Sequence, residues 1–95
     1  MESEIRGRLE QELDRLLKPE VIAMIVKISE NLPLQSIEDF CHGYIVGDII
    51  FGTFEEARIE HGRELTAEEM DEALNIIYRR TNEIKAAIKL ATSAR

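Results

Sequence analysis

Cysteine occurs once, at Cys41. No intramolecular disulfide can staple the chain, and a reducing, cytoplasmic setting is the expectation. Tryptophan is absent and aromatics make up only 5%, which leaves few rings to interleave with basic side chains in a nucleic-acid surface. Two prolines and five glycines are too few to break the chain into short pieces. The N-terminal stretch MESEIRGRLEQEL has no apolar signal-peptide core. No apolar run is long enough to cross a bilayer, and the longest contains Asp48. A membrane association is not expected.

Ninety-five residues make one domain, and a domain this small often gains from a second subunit because it buries a modest share of its surface. The apolar fraction of 44% argues against disorder. A net charge of −7 repels nucleic-acid phosphates and anionic membranes over most of the surface. The charge is uneven. Residues 1–75 carry 7 basic and 18 acidic side chains, whereas residues 76–95 carry five basic ones against Glu83. A helix that opens on Glu68, Glu69, Asp71 and Glu72 and closes on lysines suits its own dipole, which explains that split without a ligand.

Periodicity places a first helix over about 2–17, with Ile5, Leu9, Leu13 and Leu16 on one stripe and Gly7 weakening its first turns. Lys18-Pro19 marks a break before a second helix at about 20–31. Ser36 is an N-cap candidate for a third helix at about 36–61, with Glu38 and Asp39 in its first turn. From Cys41 to Phe54 that helix carries one formal charge, Asp48, and is apolar on all sides. Ile37, Phe40, Tyr44, Phe51 and Phe54 share one face, while Cys41, Ile45 and Ile49 share another. Such a helix must be covered all round. Gly43, Gly47 and Gly52 inside it cost helix propensity, and close approach of a neighbouring helix is the expected return. Gly62 is placed as a left-handed C-cap. Thr66 and Glu69 stand in capping-box positions, with Leu65 and Met70 spaced as a hydrophobic staple, so the last helix is expected at about 67–93. Met70, Leu74, Ile77, Thr81, Ile84, Ile88 and Ala91 alternate four- and three-residue steps along it, a heptad seam.

The chemical motifs are sparse. Glu68, Glu69, Asp71 and Glu72 form overlapping acidic pairs three residues apart, which share a helix face and suit a divalent cation. The pattern is similar to half of the carboxylate set that all-α nucleoside-triphosphate pyrophosphohydrolases draw from neighbouring helices. The nearest second pair is Glu56 and Glu60, at the wrong spacing, and a helix start explains the first pair better. Cys41 and His42 are adjacent on a helix and diverge by roughly 100°, so they cannot chelate one ion together. Arg79, Arg80, Lys85 and Lys89 are the candidate phosphate contacts, and a solvated helix face accounts for them better. No Gly-rich phosphate loop, Gly-x-Ser-x-Gly elbow or His-Glu-x-x-His motif occurs. No cofactor is implied.

The expectation is an all-α bundle of four helices in which the last two form a long antiparallel hairpin. Two shorter helices cannot cover so much apolar face, so an isologous homodimer is expected. Its interface is assigned to Tyr44, Gly47, Phe51 and Phe54, with Ile77, Ile84 and Ile88 behind them. The leading function is a non-enzymatic protein–protein interaction module. A metal-dependent phosphohydrolase using Glu56, Glu60, Glu68, Glu69 and Glu72 is the alternative, and nucleic-acid binding through the basic C-terminal helix comes third.

Overall fold

The structure is a computed structural model that describes residues 3–93. The described residues form five helices and no strand: α1 Ser3–Leu16, α2 Pro19–Ser29, α3 Ile37–His61, α4 Ala67–Arg79 and α5 Thr81–Ser93. The expected first residue of α1, Glu2, lies outside them.

Local chemistry sets most boundaries. Lys18 is extended (φ −65°, ψ 139°), as the residue before a proline prefers, and Pro19 opens α2 where its missing N–H is not needed. The first two helices are therefore separate. Ser36 Oγ accepts from the Asp39 N–H at 3.1 Å and caps α3. Gly62 ends α3 in the left-handed conformation (φ 66°), donating its N–H to the Ala57 carbonyl. Between these caps α3 runs unbroken for 25 residues, about 37 Å, through Gly43, Gly47 and Gly52. Thr66 and Glu69 form the full capping box: Thr66 Oγ1 accepts from the Glu69 N–H, and the Glu69 carboxylate accepts from the Thr66 N–H.

The expected last helix is in fact two. Arg80 leaves helical geometry (φ −103°, ψ 10°) and its N–H turns to the Ile77 carbonyl at 3.0 Å. Neither proline nor glycine causes this. The Arg80 guanidinium instead gathers carboxylates from α1 and α5: Asp14 at 2.7 Å, Glu83 at 2.8 Å and Glu10 at 3.6 Å. The break gives the two halves different neighbours. α5 packs on α2 and on α3, ending with Thr92 beside residues 34–38, whereas α4 touches α3 only lightly. The helix that lies most closely along α3 is α1. It runs the opposite way, with Glu4 facing His61 at 3.6 Å and Arg8 facing Glu56 at 3.9 Å. The expected fourth helix is thus divided, and α3 lies at the centre of several short partners.

The core is aliphatic. Ile5, Leu9, Leu13 and Leu16 of α1 are all buried, and Ile22, Ile25 and Val26 meet them from α2. α3 contributes Cys41, Ile45, Ile49, Thr53 and Ala57 at strict four-residue steps. Four residues advance a helix by about 400°, so this stripe winds by roughly 40° per step and can serve different neighbours at its two ends. Thr53 is reconciled with burial by donating its hydroxyl to the Ile49 carbonyl at 2.7 Å. Ile77, Ile84 and Ile88 close the core from α4 and α5, at 4%, 0% and 1% exposure. That burial leaves them no surface of their own to present to a partner. None of the five aromatic residues is buried.

Candidate functional site: the outer face of α3

Four of those five rings sit on α3. Phe40 is half-buried, and Tyr44, Phe51 and Phe54 are 42%, 65% and 38% exposed. With Gly47 between them they follow one another at steps of four, three, four and three residues. At 100° per residue this stripe lies about 180° from the middle of the buried one. α3 therefore has a second apolar stripe, of which Phe40 packs against the core while Tyr44, Phe51 and Phe54 stand open. Aromatic side chains each bury roughly 150–250 Å² when they pack and normally dominate cores. Here they are spent on the surface.

The glycines belong to this open side. A Cβ placed on Gly43 or Gly47 would meet no neighbouring atom within 4 Å. The close helix approach expected at these positions does not exist within the chain. Each glycine in a helix interior still costs about 0.8–1.0 kcal/mol relative to alanine. Among the described residues no side chain packs into the space that a Cβ would take at Gly43 or Gly47.

Along one edge of the stripe, Phe51 joins a groove of about 390 Å³ between α1 and α3. Arg8, Glu12, Arg15, Asp48 and Glu56 give it charge of both signs. Glu12 accepts two hydrogen bonds from Arg15, at 2.8 and 2.7 Å, which hold its carboxyl below the ordinary range. Asp48 faces Glu12 within hydrogen-bonding reach. Burial pushes the Asp48 carboxyl up, the Glu12 carboxyl adds to the rise, and Arg15 opposes it. The pair is an electrostatic tension at the rim of the aromatic face.

The five candidate metal carboxylates do not assemble. Glu56 and Glu60 line one groove with Glu4 and Arg8, whereas Glu68 and Glu72 line another with Arg6, Glu10 and Arg79. Glu72 pairs with Arg6 and Glu56 with Arg8. Glu69 turns away from both grooves. It takes a two-pronged ion pair from Arg63, at 2.7 and 2.8 Å, which together with the Thr66 N–H lowers its pKa to about 2. Its role is to fasten the 62–66 turn to α4. Among the described residues no three His, Cys, Asp or Glu side chains converge as a metal site.

The basic C-terminal segment is similarly committed. Arg80, one of four candidate phosphate contacts, is enclosed by three carboxylates and its pKa is raised, first by Glu83 and then by Asp14. Arg79 lines a groove with Glu68 and Asp71. Lys85 and Lys89 are left as an exposed pair on α5. Cys41 is fully buried in the core, which places its thiol out of reach of a substrate. Among the described residues no helix is long and apolar enough to cross a membrane.

Compared with protein-family models, curated proteins and solved structures, the chain matches none of them.

Proposed function

We propose that the chain is a non-enzymatic interaction module that self-associates through the outer face of α3. The observation that carries this reading is the stripe Phe40, Tyr44, Gly47, Phe51 and Phe54, in which Tyr44, Phe51 and Phe54 are exposed and Gly47 stands in open space. Ile77, Ile84 and Ile88 are buried in the core and add no exposed area to that stripe.

The available area sets the strength of the association. Exposures of 42%, 65% and 38% at Tyr44, Phe51 and Phe54 leave roughly 300 Å² of aromatic surface per copy, taking about 200 Å² for a whole ring side chain. A standard interface uses about 800 Å² per partner. The aromatic centre therefore needs its rim, and the expected association is weak and concentration-dependent rather than that of an obligate dimer.

Sedimentation velocity on the wild type and on Phe51→Glu tests the reading. The wild type is expected to shift from monomer to dimer as concentration rises. Phe51→Glu is expected to stay monomeric with unchanged helical circular dichroism, since Phe51 is mostly solvent-exposed in the fold. A variant that associates as the wild type does would overturn the assignment.

A further inference from the structure

We infer that the occupant of this face is a second copy of the chain, laid antiparallel across it with Gly47 on the two-fold axis. The inference rests on the self-association reading above and adds orientation and register to it. The stripe is self-complementary about Gly47. Phe40 and Phe54 are each seven residues from Gly47, so a two-fold axis there sets the Phe40 ring of one copy against Phe54 of the other. Gly43 and Phe51 are each four residues away, so the most exposed ring of the stripe meets the notch of Gly43. A side chain at Gly43 would occupy that notch, and within the chain nothing else does. An isologous contact needs this kind of matching, in which each residue meets its counterpart's partner.

Charge selects the direction. Arg58 continues the stripe one step past Phe54, is exposed, and leans on Glu55 of its own helix at 2.5 Å. It lies eleven residues from Gly47, as does Ser36 on the other side. An antiparallel copy brings Arg58 over Ser36 at the capped start of the other α3, where Asp39 on the adjoining flank is the carboxylate within a turn of it. The two helix dipoles then oppose one another. A parallel copy sets Arg58 against Arg58 and the acidic first turns against each other, which is unfavourable.

Spin labels at the ends of α3 read the geometry without disturbing the rings. On a Cys41→Ala background, labels at Arg58→Cys are expected about 33 Å apart in the dimer and labels at Asp39→Cys about 24 Å apart, from eleven and eight residues on each side of the axis at 1.5 Å per residue. Each label removes one member of the charge pair and so reads the register that the stripe alone sets. Separations under about 15 Å at both sites mean a parallel pair and overturn this inference while self-association stands. Opposite changes at the two sites would move the axis off Gly47 and equally overturn it. A wild-type chain that is monomeric by mass overturns both readings. As a check independent of labelling, Arg58→Glu is expected to weaken association about two- to fivefold, and the double variant Asp39→Arg, Arg58→Glu to restore it. Failure of the double variant to recover counts against the antiparallel register.

Discussion

Replacing Gly47 with alanine should stabilise the folded monomer and weaken its association, two effects of opposite sign from one methyl group. The stabilisation follows from geometry. The new Cβ meets no neighbouring atom within 4 Å, so neither strain nor new packing enters within the chain. What remains is helix propensity, about 0.8–1.0 kcal/mol in favour of alanine. In a domain of this size that amounts to a rise in Tm of about 4–8 °C. The association effect follows from the proposed crossing at Gly47, where a methyl on each copy would push the two helix axes apart. Thermal melts followed by circular dichroism, at a concentration low enough to keep the chain monomeric, measure the first effect. Sedimentation at high concentration measures the second. Gly7→Ala is the control. It sits in α1, also with open space at its Cβ, and should raise Tm by a similar amount with no change in association. A fall in Tm for Gly47→Ala would refute the packing account of α3, and unchanged association would refute the seam.

Three further predictions concern the polar framework. Thr66→Ala removes the hydroxyl that accepts from the Glu69 N–H and should cost about 1 kcal/mol, seen as a lower urea midpoint with an unchanged m-value. The Glu69 carboxyl is held at about 2 in the folded chain, below its ordinary 4.5, so its ion pair contributes stability that is present above pH 4.5 and lost as pH falls towards 2. The Tm gap between wild type and Arg63→Gln should therefore close over that window, and a gap independent of pH would contradict the assignment. Asp48 has the opposite sign. Its folded-state pKa is raised, so the folded chain is favoured with Asp48 protonated and loses stability as pH rises through that pKa. Asp48→Asn should stabilise the fold at pH 7 and leave its stability unchanged at pH 3, measured by denaturant titration at both values.

Where a structural signal is local, the sequence carried it. The Thr66–Glu69 box, the Ser36 cap, the break before Pro19 and the left-handed Gly62 each depend on residues within one turn, and each is found where the pattern places it. The break at Arg80 was not legible. The heptad seam passes through Ile77, Thr81 and Ile84 without a change of phase, and no breaker residue stands there. The carboxylates that hold Arg80, Glu10 and Asp14, come from α1, far away along the chain. The same limit applied to the apolar faces. Periodicity showed that α3 had two faces needing cover, but only packing reveals which one the fold uses. It assigned Ile77, Ile84 and Ile88 inward and left the aromatic stripe outward. The glycines were misread for a related reason: composition marks a place for close approach but not whether the neighbour belongs to the same chain. Glu69 is taken up by Arg63, a partner six residues back in the turn, which the spacing of the carboxylates alone does not show.

The central claim is that α3 carries a second apolar face meant for another copy of the chain. Absolute mass by light scattering, from low micromolar to near-millimolar concentration, addresses it most directly. The account predicts a mass that climbs from 10.9 kDa towards twice that value and levels off there. A mass of 10.9 kDa across the whole range would contradict it.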